Sequence, residues 1–324
     1  MRRRTLMKQL ASAMGILFCL ELGVRVCLEP PTVDRYRLYR IHGADGFEML
    51  DQMGMSARLL EHSNRLLTLD EAWLWRGRPE LDMDARALSL VAGTPWHIRT
   101  NADGFRDADT GDGSWVALGD SCTFGWGVDD NWTEKLEVLT GRSIRNLAIP
   151  GYSAVQGRRV FDAQMPSKPS VLFLNFGAND GHMVFEGDRE RLRQRKTVVG
   201  RARRAVASLH MVRHARFLAY PIWAKTTVLA WRSGAYRPRV TADELAEEYE
   251  AMIEQAGRTV LLDICARDEY GQVMALLADS DERVSMVRYR ELGEDTVDGC
   301  HPTEAGHAAL AAAVSRVLSA GEAR

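Results

Sequence analysis

Ser114-Trp115-Val116-Ala117-Leu118-Gly119-Asp120-Ser121-Cys122 is where the chain begins to read as an ordered fold. The apolar run Trp115 to Leu118 is too short for a helix and stops at a glycine. That reads as a buried strand running into a turn. Similar runs follow at 144–148, at 171–176 after Pro169, at 259–264 and, more weakly, at 284–289. Helical stretches fall between them. Residues 132–140 start behind Asn131 as cap, with Glu134 as its capping-box partner, and close at Gly141. Residues 242–256 form another, and 304–319 end the chain. Strands alternating with helices imply a parallel sheet covered on both faces. Ligands of such sheets bind beyond the carboxyl ends of the strands.

Those ends carry the residues with chemistry. Ser121 follows the first strand directly, so its hydroxyl can point into the crevice and turn N–H groups can face a developing oxyanion. It is not the G-x-S-x-G elbow, because Asp120 precedes the serine. Gly151 lies just past the second strand, where a missing Cβ lets a backbone N–H approach a ligand. It also fits a plain loop glycine. Asn179, in Gly177-Ala178-Asn179-Asp180 after the third strand, can donate its side-chain amide to the same place or simply shape a turn. Near the C-terminus, Asp298-Gly299-Cys300-His301-Pro302 puts an aspartate three residues before a histidine. The carboxylate can orient the imidazole, leaving its other nitrogen free to take a serine proton. His307 reads as structural, whereas His182 sits close to the Asn179 turn.

These blocks, G-D-S at 119–121, glycine at 151, G-x-N-D at 177–180 and D-x-x-H at 298–301, resemble the SGNH or GDSL-type serine hydrolases. The resemblance covers roughly residues 114–319. It implies an α/β fold, a three-layer α/β/α sandwich with a flavodoxin-like five-stranded parallel sheet. It implies Ser121 as nucleophile, His301 as general base and Asp298 as its orienting partner. The Ser121 N–H, the Gly151 N–H and the Asn179 side chain would form the oxyanion hole. Ester hydrolysis through an acyl-enzyme is the expected reaction, with no metal or organic cofactor. The alternatives are an O-acyltransferase or O-deacetylase acting on cell-envelope polysaccharide, or a non-catalytic envelope scaffold. The expected partner is an ester-bearing small molecule or an acylated glycan. His97-Ile98-Arg99-Thr100-Asn101-Ala102-Asp103-Gly104-Phe105-Arg106 is similar to the stretch before the serine block in membrane-anchored bacterial members, and no catalytic role attaches to it.

The rest of the chain frames that core. Its 324 residues, 46% apolar, suffice for one α/β domain with additions. Basic and acidic residues nearly cancel, 42 against 44, which argues against a dedicated nucleic-acid binder. Arg2, Arg3, Arg4 and Lys8 precede a mostly apolar stretch reaching Leu28, broken by Glu21 and Arg25. This reads as an uncleaved signal anchor over residues 1–29 with the remainder outside the membrane, periplasmic in a Gram-negative bacterium. Pro30-Pro31 ends it. Residues 30–113 form an extension without an assignable fold, and 114–324 the hydrolase-like domain, with a cap insertion around 186–240. Within the cap, residues 189–216 are rich in arginine, and Val199, Ala202, Val206, Leu209 and Val212 recur at helical spacing. That reads as one basic amphipathic helix, facing solvent, a membrane surface or an anionic substrate. Five cysteines show no zinc-type spacing. A disulfide among Cys122, Cys265 and Cys300 is open, and free buried thiols are the expectation. Cys122 is a poor rival to Ser121, since burial raises a thiol pKa.

Overall fold

The computed structural model describes residues 2–27, 65–88, 95–107, 114–165, 167–209 and 236–322, with scattered positions between 210 and 235. Pro30-Pro31 and much of the 30–113 extension therefore lie outside the described residues. The chain opens with helix α1 (Arg2–Cys27) and two antiparallel pairs. The first is β1 (Leu67–Asp70) with β2 (Leu74–Gly77), the second β3 (Asp82–Asp84) with β4 (His97–Arg99). Next come β5 (Trp115–Gly119), α2 (Ser121–Phe124), α3 (Trp132–Thr140), β6 (Ile144–Asn146), α4 (Ala154–Gln164) and β7 (Val171–Asn175). The insertion contributes β8 (Met183–Val184), α5 (Asp188–Arg195), α6 (Val198–Ser208) and β9 (Arg237–Pro238). The chain finishes with α7 (Ala242–Ile253), β10 (Arg258–Asp263), α8 (Asp268–Ser280), β11 (Val284–Arg288) and α9 (Glu304–Glu322).

The main sheet has the order β6-β5-β7-β10-β11, parallel throughout, as the strand–helix alternation requires. Alternation along each strand feeds two separate cores. Val116, Leu118, Leu172, Leu174 and Leu261 face α4, α7 and α8. Trp115, Ala117, Val171, Phe173, Val260 and Leu262 face α3 and α9. This is the expected three-layer α/β/α sandwich with the flavodoxin-like strand order. That order reverses direction beside β5, which puts a crevice at the carboxyl ends of β5 and β7.

The described part of the extension packs into the first of these cores. Leu67, Trp73, Trp75, Trp96, Ile98 and Phe105 join it as buried side chains. The turn at 101–105 forms as its Asp-Gly pair predicts. Asn101 N–H donates to Phe105 O at 2.9 Å, and Gly104 sits at φ +85°.

Two expectations need correction. The N-terminal stretch is helical, but among the described residues no helix is long and apolar enough to cross a membrane. Charges at Arg2, Arg3, Arg4, Lys8, Glu21 and Arg25 leave only residues 9–20 uncharged, well short of the ~20 a span needs. Glu21 and Arg25 pair at 2.8 Å along the helix. In the insertion, the helix expected over 189–216 is divided. Thr197 lies between α5 and α6 and caps the second, its Oγ1 accepting from Gly200 N–H at 3.0 Å. Val198, Val199 and Val206 are exposed there, and part of the stretch beyond 209 lies outside the described residues.

Candidate active site

The strand ends bring four distant segments together. Ser121 begins α2 directly after β5 and Asp120, which caps that single turn by accepting from Cys122 N–H at 2.9 Å. Gly125 ends the turn in the left-handed conformation at φ +83°. The short turn holds the Ser121 side chain at the sheet's carboxyl edge, 2.8 Å from His301 Nε2. His301 Nδ1 lies 2.8 Å from Asp298 Oδ2. A carboxylate only accepts, so Nδ1 carries the proton and Nε2 is the acceptor facing the serine hydroxyl.

The loop bearing this pair is fixed by its own backbone. Asp298 Oδ1 accepts from Cys300 N–H at 3.1 Å and from His301 N–H at 2.8 Å. Val297 N–H donates to His301 O at 2.7 Å, and Tyr289 Oη to Asp295 O at 2.7 Å. Burial pushes the Asp298 carboxyl up. The hydrogen bond and charge of His301 and the backbone N–H groups outweigh this, holding it below the usual range. The Trp126 ring covers His301 with centroids 6.2 Å apart.

Gly151 sits at φ +80°, a conformation open to glycine at little cost. Neither its N–H nor that of Ser121 has an acceptor among the described residues. Asn179 donates one amide hydrogen to Asp120 Oδ2 at 2.8 Å, which orients the group and leaves its second hydrogen unspent. Asp180 ties the two neighbouring loops together, accepting from Ala154 N–H at 2.8 Å and Gly177 N–H at 2.9 Å. Burial pushes its carboxyl up to about 7. Printed contacts thus join Ser121, His301 and Asp298 directly and tie Asn179 to the residue before the serine, while Gly151 follows β6, the strand beside β5. Of the other histidines, His307 is fully buried and accepts from Trp132 N–H through Nδ1 at 3.1 Å. His182 uses its backbone, accepting from Arg239 N–H at 2.8 Å.

Sequence reasoning passed over the bracing behind Gly151. Arg239, fully buried, donates to Gly151 O at 2.9 Å and to Gln156 Oε1 at 2.7 Å. It pairs with buried Asp188 at 2.7 Å and lies 5.3 Å from the Trp75 ring centre. Burial would raise Asp188, yet Arg239 and Arg191 hold it below the usual range. The Trp75 indole N–H donates to Pro150 O at 3.1 Å, and Tyr152 Oη to Trp75 O at 2.6 Å. A lone arginine after proline carries no motif. The aspartate of G-D-S, by contrast, stands in plain view in the sequence, and its orienting role emerges only from its contact with Asn179 across 59 positions.

The thiols also differ from expectation. Cys265, after β10, and Cys300 form a disulfide, their Cα atoms 5.1 Å apart, instead of remaining free. The strand end and the base loop are brought side by side by the fold, which spacing along the chain cannot reveal. Cys122 stays a free buried thiol, its pKa raised well above the ordinary value by burial and by the Asp120 and Asp298 charges. Cys122, Cys300 and His301 are the one group among the described residues close enough to share a metal ion. With the Cys300 sulfur bonded to Cys265, that set offers two ligands, too few for a structural zinc.

No curated relative matches the chain. Among solved structures, it is similar to a lipase/acylhydrolase from Enterococcus faecalis, at 15% identity and a TM-score of 0.40, covering 63% of this chain and 94% of that one. It is also similar to Axe2, an acetylxylan esterase from Geobacillus stearothermophilus, at 16% identity and a TM-score of 0.39, covering 64% and 94%. A member of the lipolytic G-D-S-L family from Veillonella parvula DSM 2008 gives 15% and 0.38, covering 63% and 97%. The family described as GDSL-like Lipase/Acylhydrolase matches residues 117–309, well over half of the chain, and the protein belongs to that family.

Proposed function

We propose that this GDSL-family enzyme cleaves a carboxylic ester through an acyl-enzyme formed on Ser121. Two observations support the reading. Asp298, His301 and Ser121 are linked by two 2.8 Å contacts, and the Ser121 and Gly151 N–H groups have no acceptor among the described residues. As Ser121 Oγ attacks the carbonyl carbon, its proton passes to His301 Nε2, and Asp298 stabilises the imidazolium. The carbonyl oxygen, now negative, takes hydrogen bonds from the Ser121 N–H, the Gly151 N–H and the free hydrogen of the Asn179 amide. His301 returns the proton to the departing alcohol. Water, deprotonated by His301, then releases the acid and restores the serine.

The Cys265–Cys300 disulfide favours an oxidising, extracytoplasmic compartment for the enzyme. The test of the reaction is a p-nitrophenyl ester series from acetyl upward, with Ser121→Ala as control. Turnover that disappears in the variant, together with fluorophosphonate labelling of the wild type at Ser121, is expected. Equal turnover by the variant would end the assignment. Offering an acetylated donor with a glycan acceptor separates hydrolysis from transfer. Acetate as product supports the proposal, and acetyl glycan would move it to transfer.

A further inference from the structure

Arg106 closes the stretch 97–106 that the sequence set apart without a role, and it lies outside the family segment 117–309. Its guanidinium is buried, 7% exposed, and makes no ion pair among the described residues. Backbone carbonyls answer the charge instead. Nη1 donates to Phe124 O at 3.2 Å and to Gly125 O at 2.7 Å. Nη2 donates to Val128 O at 2.9 Å and to Asp129 O. The cation also lies 5.7 Å from the centre of the Phe124 ring. A planar fork of donors is the group suited to gather four carbonyls around a bend. Burial disfavours the cation, Glu134, Asp129, Asp130 and Glu304 favour it from beyond ion-pair distance, and its direct hydrogen bonds all go to the loop carbonyls.

The gathered carbonyls belong to the loop that leaves the nucleophile turn. Gly125 and Trp126 N–H both donate to Ser121 O, at 3.1 and 3.0 Å. The Trp126 ring then lies beside both His301 and Trp96, with centroids 6.2 and 5.4 Å away. The extension holds the same loop at a second point, His97 N–H donating to Asp129 Oδ1 at 2.7 Å. One residue therefore touches neither Ser121 nor His301, yet fixes the segment that joins the serine turn to the wall over the imidazole.

We propose that Arg106 is a positioning residue for the hydrolysis, acting through the 124–129 loop to set Ser121 against His301. The inference rests on the Ser121 and His301 roles given above. The extension then completes the active site as well as the core. A misplacement of about 1 Å at a reacting group costs on the order of 100-fold in rate.

The test uses the full chain with Arg106→Lys and Arg106→Met, and Met252→Ala as a comparator destabilised elsewhere in the buried core. Fluorophosphonate titration counts reactive serines, and kcat is expressed per reactive serine. The expected result is a fall of about 10- to 100-fold in kcat with little change in KM for Arg106→Met, and a smaller loss for Arg106→Lys. Amide hydrogen exchange over 125–130 should quicken in both. Met252→Ala should lower the melting temperature and leave kcat per serine unchanged. An Arg106→Met enzyme with wild-type kcat per serine, or a loss that Met252→Ala reproduces, would overturn the proposal. So would unchanged exchange over 125–130. If wild type neither labels nor turns over ester, the hydrolase reading falls instead, and the exchange measurement still judges the grip on the loop by itself.

Discussion

Replacing Asp298 by asparagine changes one heavy atom and should nearly silence the enzyme. Oδ1 already accepts from two backbone N–H groups, at 3.1 and 2.8 Å. An asparagine must keep its carbonyl oxygen there, because turning the NH₂ toward those donors would forfeit both bonds. The NH₂ then replaces Oδ2 and donates toward His301 Nδ1, 2.8 Å away in the wild type. Nδ1 becomes the acceptor, so the ring proton moves to Nε2, the nitrogen facing Ser121 Oγ. That nitrogen can no longer take the serine proton, and the imidazolium loses its counter-charge. Loss of tautomer and charge together is worth about 10³ to 10⁴ in kcat, or about 4–5 kcal/mol of barrier. Oxyanion donors and ester binding are untouched, so KM should shift only slightly. The assay is steady-state hydrolysis of p-nitrophenyl acetate, paired with the rate of fluorophosphonate labelling, which should fall in step. An Asp298→Asn enzyme within tenfold of wild type would show that His301 does not depend on this carboxylate, and the proton route would have to be redrawn.

Asn179→Ala removes the amide proposed as an oxyanion donor and should cut kcat by about 10² to 10³, measured on the same ester, while also taking one of two hydrogen-bond donors from Asp120. Cys265→Ser opens a loop spanning 35 residues and should lower unfolding free energy by roughly 4 kcal/mol, read from urea denaturation without reductant; a loss under about 1 kcal/mol would mean the loop is already held by its hydrogen bonds. Burial lowers the His307 pKa to about 3, far below its unfolded value, so the native state binds fewer protons in between. Its contribution to stability is complete above about pH 6.5 and is lost progressively as pH falls toward 3. His307→Asn, whose amide oxygen can still accept from Trp132 N–H, should flatten the acid limb of stability against pH by up to one proton. An unchanged slope would refute this.

The strands and the site blocks were legible because each is written locally. Val116, Leu118, Leu172 and Leu174 alternate with Trp115, Ala117, Val171 and Phe173, so burial on both faces appears as an unbroken apolar run. Asn131, Glu134 and Gly141 mark both ends of one helix, and the capping box forms with Glu134 Oε2 accepting from Asn131 N–H at 2.6 Å. Ser121, Gly151, Asn179 and Asp298/His301 are readable because strand ends share one edge of a parallel sheet. What escaped reading depends on segments meeting across the fold. Arg239 reaches Gly151 over 88 positions, and Trp75 reaches Pro150 over 75. The partner of Cys300 is decided by where β10 ends. The two small antiparallel pairs of the extension are only three or four residues per strand, too short for any periodicity to register.

Ser121 and His301 stand 180 positions apart in the chain. During synthesis Ser121 emerges long before His301. A growing chain therefore carries the serine without this histidine until the segment after β11 has docked. Contacts of such sequence separation form late and slowly. Recovery of ester turnover after dilution from denaturant would consequently serve as a clock for the docking of that segment beside β5.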